Sequence, residues 1–107
     1  MHRYFKDLYE DVGKDKELVS ELKDDFLNIY NESINSLKKA IKSNDYEKMD
    51  HLAHKLKGSS LNFNIPELTK YFEKIEHEGK NNINNVSEKL LEKIENEIDK
   101  FKNINIS

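Results

Sequence analysis

The stretch from residue 52 to residue 60 places a histidine and a glycine one helical turn apart. His54 and Gly58 are four positions apart, and Lys55 and Lys57 lie between them. A glycine inside a helix costs about 1 kcal/mol relative to alanine, so a glycine beside a histidine indicates that another group must approach the imidazole closely. The space left at Gly58 would accommodate a group the size of a phosphoryl.

The side chains of this stretch could together accept a phosphoryl group. Imidazoles are largely unprotonated near pH 7, and an unprotonated ring nitrogen attacks phosphorus without the help of a second base. The transferred group brings negative charge, which Lys57, and less directly Lys55, could screen or hydrogen-bond. The chemistry predicted for this stretch is therefore nucleophilic attack by His54.

Other chemistries are disfavoured by the spacing. Ser59 and Ser60 lack the Gly-x-Ser-x-Gly turn of a serine nucleophile, so we interpret them as small residues for helix packing. His51 and His54 could share a metal, but a carboxylate-bridged metal centre in a bundle needs paired Glu-x-x-His motifs. No histidine here has a glutamate three positions before it. We therefore expect no metal site.

A sensor-kinase dimerisation helix also carries a phosphorylatable histidine. That histidine is usually followed by an acidic residue and then, a few positions on, by a proline. Here Lys55 follows His54 directly, and Pro66 is twelve positions away. The chain also lacks a glycine-rich nucleotide-binding segment, so we do not expect an ATP-dependent kinase.

Composition favours a helical protein. The 107 residues are 36% charged and 36% hydrophobic, with only 3 Gly and 1 Pro, which suits long amphipathic helices better than a strand-rich fold with many turns. A net charge of −3 does not favour nucleic-acid binding, and the absence of cysteine excludes thiolate chemistry. No run approaches the roughly 20 apolar residues of a membrane span, so we expect a cytoplasmic protein.

Apolar residues at helical spacing predict five helices. A short one covers residues 3–10, and a long one extends from Asp15 to the break at residues 43–44. The next begins at the cap residue Asp45 and ends near residues 64–66, because Pro66 disfavours a helical conformation at the residue before it. The fourth is predicted to end at Gly79 as a left-handed cap, and the last carries the apolar residues from 86 to 101.

Helices with one apolar face each, joined by short loops, bury those faces most simply in a bundle. We predict an all-α fold: an antiparallel up-down four-helix bundle, with the short N-terminal helix as a lid. A single domain would span residues 1–107, with its core bundle at about residues 15–102. Without an additional apolar stripe, a monomer is the expected state.

The helical period also predicts where His54 points. At roughly 100° per residue, His54 falls about 140° from the centre of the apolar face of its helix, so it should face solvent. Gly58 lies about 40° from it, and Leu61 lies two turns along, almost in line. Leu61 is either an ordinary surface leucine or part of a docking patch.

The string from Ala53 to Ser60 resembles the histidine-containing phosphotransfer (HPt) domain of multistep phosphorelays. The resemblance continues through Phe63, Leu68, Ile75 and Glu76. It implies that His54 is the phosphoacceptor and that Lys57 and Gly58 are its functional neighbours. The family usually has a second glycine where this chain has Asn64, the residue next most tolerant of a left-handed conformation.

The resemblance also implies a function. The phosphoryl group would come from an aspartyl phosphate on a receiver domain and would be passed to the aspartate of another receiver. The receiver would supply Mg²⁺, so this chain should bind no metal, cofactor or nucleotide. The expected docking surface surrounds His54 and includes Glu47, Asp50, His51, Lys57, Gly58 and Leu61. The alternative is a helical interaction module that binds a signalling partner without phosphotransfer.

Overall fold

Four helices form the part of the chain that the computed structural model describes, which is residue 10 with residues 12–63 and 65–104. These helices are α1 (Lys16–Ser43), α2 (Tyr46–Asn62), α3 (Pro66–Lys80) and α4 (Glu88–Lys102). No strand occurs among the described residues, so the predicted all-α class is confirmed. The short helix predicted at residues 3–10, except for its last residue, and the turn predicted at Asn64 lie outside the described part.

Side chains cap three of the four helices. The backbone N–H of Leu18 donates to Asp15, and that of Lys48 donates to Asp45, over 3.0 and 3.2 Å. Such caps typically stabilise a helix by about 1 kcal/mol. The α4 helix is capped by Ser87, so it starts after Val86, two residues later than the apolar pattern predicts. The helix starts thus follow local hydrogen bonding more closely than apolar periodicity.

The prediction that Gly79 ends the fourth helix as a left-handed cap is wrong. The α3 helix continues through Gly79 to Lys80, and Gly79 is buried. A Cβ atom there would lie 2.7 Å from the backbone nitrogen of Asp50 and 2.8 Å from the carbonyl oxygen of Tyr46. The glycine therefore permits close packing between α3 and the first turn of α2, and this contact fixes how the two helices align.

The helices run alternately up and down. Gly79 near the end of α3 meets the start of α2, while at the opposite end the hydroxyls of Ser60 and Thr69 are 2.8 Å apart. The α1 and α4 helices are also antiparallel, because Lys23 near the start of α1 donates to the carbonyl oxygens of Lys102, the last residue of α4, and of Ile104 just beyond it. The up-down bundle is confirmed.

The core lies between the apolar faces of the helices. At one end of the bundle Phe26, Phe63 and Phe101 pack edge to face, with ring centroids 5.0 to 5.7 Å apart. Such aromatic pairs add about 0.5–1.5 kcal/mol each beyond area burial. Phe72 is fully buried and Tyr71 only partly. Among the described residues, no helix has both the length and the apolar character needed to cross a membrane.

Candidate functional site

His54 projects from the solvent side of α2. Its side chain is 69% exposed, whereas Met49, Ala53 and Leu56 on the opposite face of the same helix are completely buried. The orientation predicted from helical geometry is therefore confirmed. The bundle holds the backbone of α2 in place and leaves the imidazole available to a partner.

A buried carboxylate from α3 lies against the imidazole. The Glu76 side chain is only 6% exposed, and its Oε2 atom is hydrogen-bonded to Nδ1 of His54. Its other oxygen, Oε1, accepts a hydrogen bond of 2.7 Å from Nζ of Lys57. Nζ of Lys80 lies 4.0 Å from Oε2. Both oxygens of a buried carboxylate are thus satisfied by groups of the candidate site, as burial of a charge requires.

These contacts determine the charge states of the cluster. Burial by itself raises the pKa of Glu76, but hydrogen bonds from Lys57 and His54 outweigh it and hold that pKa below its ordinary value. The hydrogen bond to Glu76 raises the pKa of Lys57. The carboxylate and the ammonium are therefore both charged at neutral pH.

The Glu76 contact also assigns the tautomer of the imidazole. An ionised carboxylate can only accept hydrogen bonds, so Nδ1 of His54 must carry the proton that the two groups share. In a neutral ring, the lone pair is then on Nε2, the nitrogen that Glu76 does not contact. The cluster thus directs this lone pair away from α3.

Gly58 leaves open space one turn after His54. A Cβ atom built on it would have no neighbour within 4 Å other than its own local backbone. This glycine therefore differs from Gly79, because helix packing does not require it. A helical glycine costs about 1 kcal/mol relative to alanine, and at Gly58 no packing contact offsets that cost.

The two lysines beside His54 have different environments. Lys57 was expected to be available to the incoming group, yet its Nζ is bound to Glu76 and its side chain is only 21% exposed. Lys55 is exposed. The hydroxyls of Ser59 and Ser60 donate to backbone carbonyls of the preceding turn, which agrees with a packing role for these serines.

The residues predicted to contact a partner lie on α2 around His54. Glu47 and His51 are 85% and 73% exposed at their side chains and 3.8 Å apart. Leu61 is 56% exposed, and Asp50 is half-buried. Glu47 and His51 are thus accessible before His54 along α2, and Leu61 is accessible after it. In the described part of the chain, no cluster of three or more histidine, aspartate or glutamate residues could hold a metal ion.

Glu76 was not among the residues predicted to form the site. It is 22 positions from His54 and on another helix, so no spacing rule within one helix connects the two. The sequence does contain a weak indication that this carboxylate is buried, since Glu76 follows Ile75 and lies one turn after Phe72 in the buried stripe of α3. A carboxylate in such a stripe needs a charged or hydrogen-bonding partner.

Comparison with known proteins gives one family match. The family model described as Hpt domain matches residues 21–104, which include all of α2, α3 and α4 and most of α1. No curated protein and no solved structure matches the chain.

Proposed function

The chain belongs to the Hpt domain family, and from this premise we propose that it is a phosphocarrier of a multistep phosphorelay. In this proposal, His54 accepts a phosphoryl group from an aspartyl phosphate on a receiver domain. It then passes the group to the aspartate of a second receiver. Receiver domains of response regulators or hybrid kinases are the proposed partners.

One observation carries the proposal: the buried Glu76 carboxylate lies behind an exposed imidazole. In the transfer step, the Nε2 lone pair of His54 attacks phosphorus. The new N–P bond forms as the P–O bond breaks, and the aspartate leaves as a carboxylate with the bonding electrons. No base has to remove a proton, because Nδ1 already carries the only ring proton.

The same carboxylate favours the product of this step. The phosphorylated ring retains the Nδ1 proton and becomes positively charged, and Glu76 stabilises that charge at hydrogen-bond distance. In the onward transfer, the ring leaves phosphorus as a neutral imidazole without any change of protonation. Glu76 is thus a positioning residue that serves both directions of transfer.

The remaining site residues shape the approach to His54. Gly58 leaves room for the phosphoryl group and for the receiver surface around it. Lys55, which is exposed, contributes positive charge against the phosphoryl oxygens, whereas Lys57 is bound to Glu76 and holds that carboxylate in place. Transfer between oriented partners depends mainly on positioning and electrostatics, so the partner's Mg²⁺ site and this chain's nucleophile together suffice.

The proposal is tested by incubating the protein with a phosphorylated receiver domain. Wild type should acquire acid-labile, base-stable phosphate, and His54→Gln should acquire none. A non-catalytic interaction module would bind the receiver equally well in both forms and become labelled in neither. That result would favour the alternative function.

The positioning role of Glu76 has a matched control on the same helix. Glu76→Gln should slow the limiting transfer rate at saturating receiver by about 10-fold or more, since hydrogen bonds to charged groups contribute about 1.5–3 kcal/mol. The receiver concentration giving half-maximal rate should be unchanged. Glu73→Gln, at an exposed position one turn earlier, should keep the wild-type limiting rate at saturating receiver, because Glu73 does not contact the imidazole. Equal rates for the two variants would contradict the role.

A further inference from the structure

Basic side chains line a cleft beside the candidate phosphoacceptor. The cleft has a volume of about 570 Å³ and includes Lys57 from α2 and Lys70, Lys74, His77 and Lys80 from α3. We refer to it as the basic cleft. Because Lys57 belongs both to the cleft and to the Glu76 cluster, the cleft begins directly at the site of transfer.

The basic cleft carries an excess of positive charge, because four lysines line it against two carboxylates. Its carboxylates are Glu73 and Glu76, and Glu76 is bound to His54 and Lys57, with Nζ of Lys80 4.0 Å away. Within the described part of the chain, neither Lys70 nor Lys74 forms an ion pair, and both are exposed. The whole chain carries a net charge of −3. Positive charge is therefore concentrated beside His54 on an otherwise acidic protein.

The opposite edge of α2 has different chemistry. There, a cleft of about 600 Å³ between α1 and α2 is lined in part by Leu22, Ile29 and Leu61. A partner centred on His54 would meet apolar side chains on one edge and lysines on the other. Apolar contacts mainly supply affinity, whereas complementary charge supplies orientation and rapid encounter.

We propose that the basic cleft docks an acidic surface of the receiver domain, rich in aspartate and glutamate next to its phosphorylated residue. This inference rests on the proposed phosphocarrier function. A surface of that kind would be repelled by the net charge of the chain and attracted by the cleft, so the lysines orient the receiver as it approaches. The attraction extends over about 8–10 Å at physiological salt, beyond direct contact.

The test uses two double charge reversals of identical spacing. Lys70→Glu/Lys74→Glu changes the basic cleft, and Lys89→Glu/Lys93→Glu changes exposed lysines at the same four-residue interval on α4. Both lower the net charge equally, and neither touches the Glu76 cluster. The probe is the phosphorylated receiver, encoded by the same genome, that transfers fastest to wild type. Phosphoramidate, a small phosphoryl donor, serves as a partner-free control.

At low salt, the cleft variant should show a second-order transfer rate constant lowered about 10-fold or more, within the range of electrostatic steering. Its limiting rate at saturating receiver and its labelling by phosphoramidate should equal those of wild type. Added salt should slow wild type towards the rate of the cleft variant. The α4 variant should stay within about twofold of wild type and keep its salt dependence.

Equal slowing of both double variants would overturn the inference, because it would show an effect of net charge alone. Unchanged transfer by the cleft variant would overturn it as well. Both results would leave the phosphocarrier function standing, since wild type is labelled in each. Failure of every receiver to label wild type would instead refute the phosphocarrier function and this inference with it.

Discussion

Replacement of glycine by alanine should have opposite effects on stability at two helical positions. Gly58 and Gly79 both lie inside helices, so alanine gains about 1 kcal/mol of helix propensity at either position. The two sites differ in what the new methyl group would meet. Any difference between the two alanine variants in the free energy of unfolding therefore reports the tertiary environment of the glycine that was replaced.

At Gly79 the methyl group would be 2.7 Å from a backbone nitrogen and 2.8 Å from a backbone oxygen of α2. Rigid backbone cannot move aside as a side chain can, so α2 and α3 must separate. Overpacking in a core typically costs about 1–3 kcal/mol and occasionally more. For so close a contact we expect the upper end of that range, which leaves Gly79→Ala destabilised by about 2 kcal/mol after the propensity gain.

At Gly58 the methyl group would have no neighbour within 4 Å beyond its own local backbone and the adjacent residues. Gly58→Ala should therefore be more stable than wild type by about 1 kcal/mol, which for a domain of this size raises Tm by about 4–8 °C. Transfer from a phosphorylated receiver should nevertheless be slower. Gly58→Val should block transfer while leaving the fold largely intact, because its larger side chain occupies the approach to His54.

The assay compares denaturant unfolding, at constant m value, with the rate of transfer from the receiver. Phosphoramidate labelling measures the reactivity of His54 without a partner. A destabilised Gly58→Ala or a stabilised Gly79→Ala would refute the packing argument. Unimpaired transfer by Gly58→Val would show that the space at Gly58 is not used by the incoming group.

Three further predictions concern other residues. Glu76→Gln should lower the free energy of unfolding by about 1–3 kcal/mol at pH 7. Because the folded-state pKa of Glu76 is lowered, this difference from wild type should persist above about pH 4.5 and shrink as the pH falls through the lowered pKa. A difference in denaturant unfolding that stays constant down to the most acidic pH would refute the ion cluster. Burial, with Glu95 and Asp99 nearby, raises the pKa of Tyr30 to about 12, so phenolate absorbance should show a step near that pH. Tyr30→Phe should remove this step, and a Tyr30→Phe titration that keeps it would be contrary to the prediction. Leu61→Ser should change the free energy of unfolding by less than about 0.5 kcal/mol, because the side chain is 56% exposed. The variant should accept phosphate from the receiver more slowly than wild type, but from phosphoramidate at the same rate. Equal effects on both donors would exclude a docking role.

Much of the fold follows from local sequence rules. The helix formed by residues 46–62 was predicted because Asp45 caps its start and Pro66 lies beyond its end. The exposure of His54 follows from the helical period of the residues around it, because the face of a helix on which a side chain lies depends only on its position along that helix. These features depend on interactions between residues close in the chain, which sequence patterns express directly.

The incorrect and missing predictions concern contacts between helices. Glycine is typical of a helix end, and only the packing of α3 against α2 shows that Gly79 is a close-contact residue. Glu76 lies by its spacing in the apolar stripe of α3, but only the placement of α3 beside His54 and Lys57 shows which groups it binds. Such contacts depend on the relative depth and rotation of two helices, which no spacing within either helix determines.

In the proposed function, His54 carries the phosphoryl group while Glu76 holds its Nδ1 proton. The most direct measurement is identification of the phosphorylated atom, by ³¹P and ¹⁵N nuclear magnetic resonance, after transfer from a phosphorylated receiver. We expect one phosphorylated residue, His54, bonded through Nε2, and no phosphohistidine in His54→Gln. Phosphate on Nδ1 of His54, on another histidine, or equally on the His54→Gln variant would contradict this proposal.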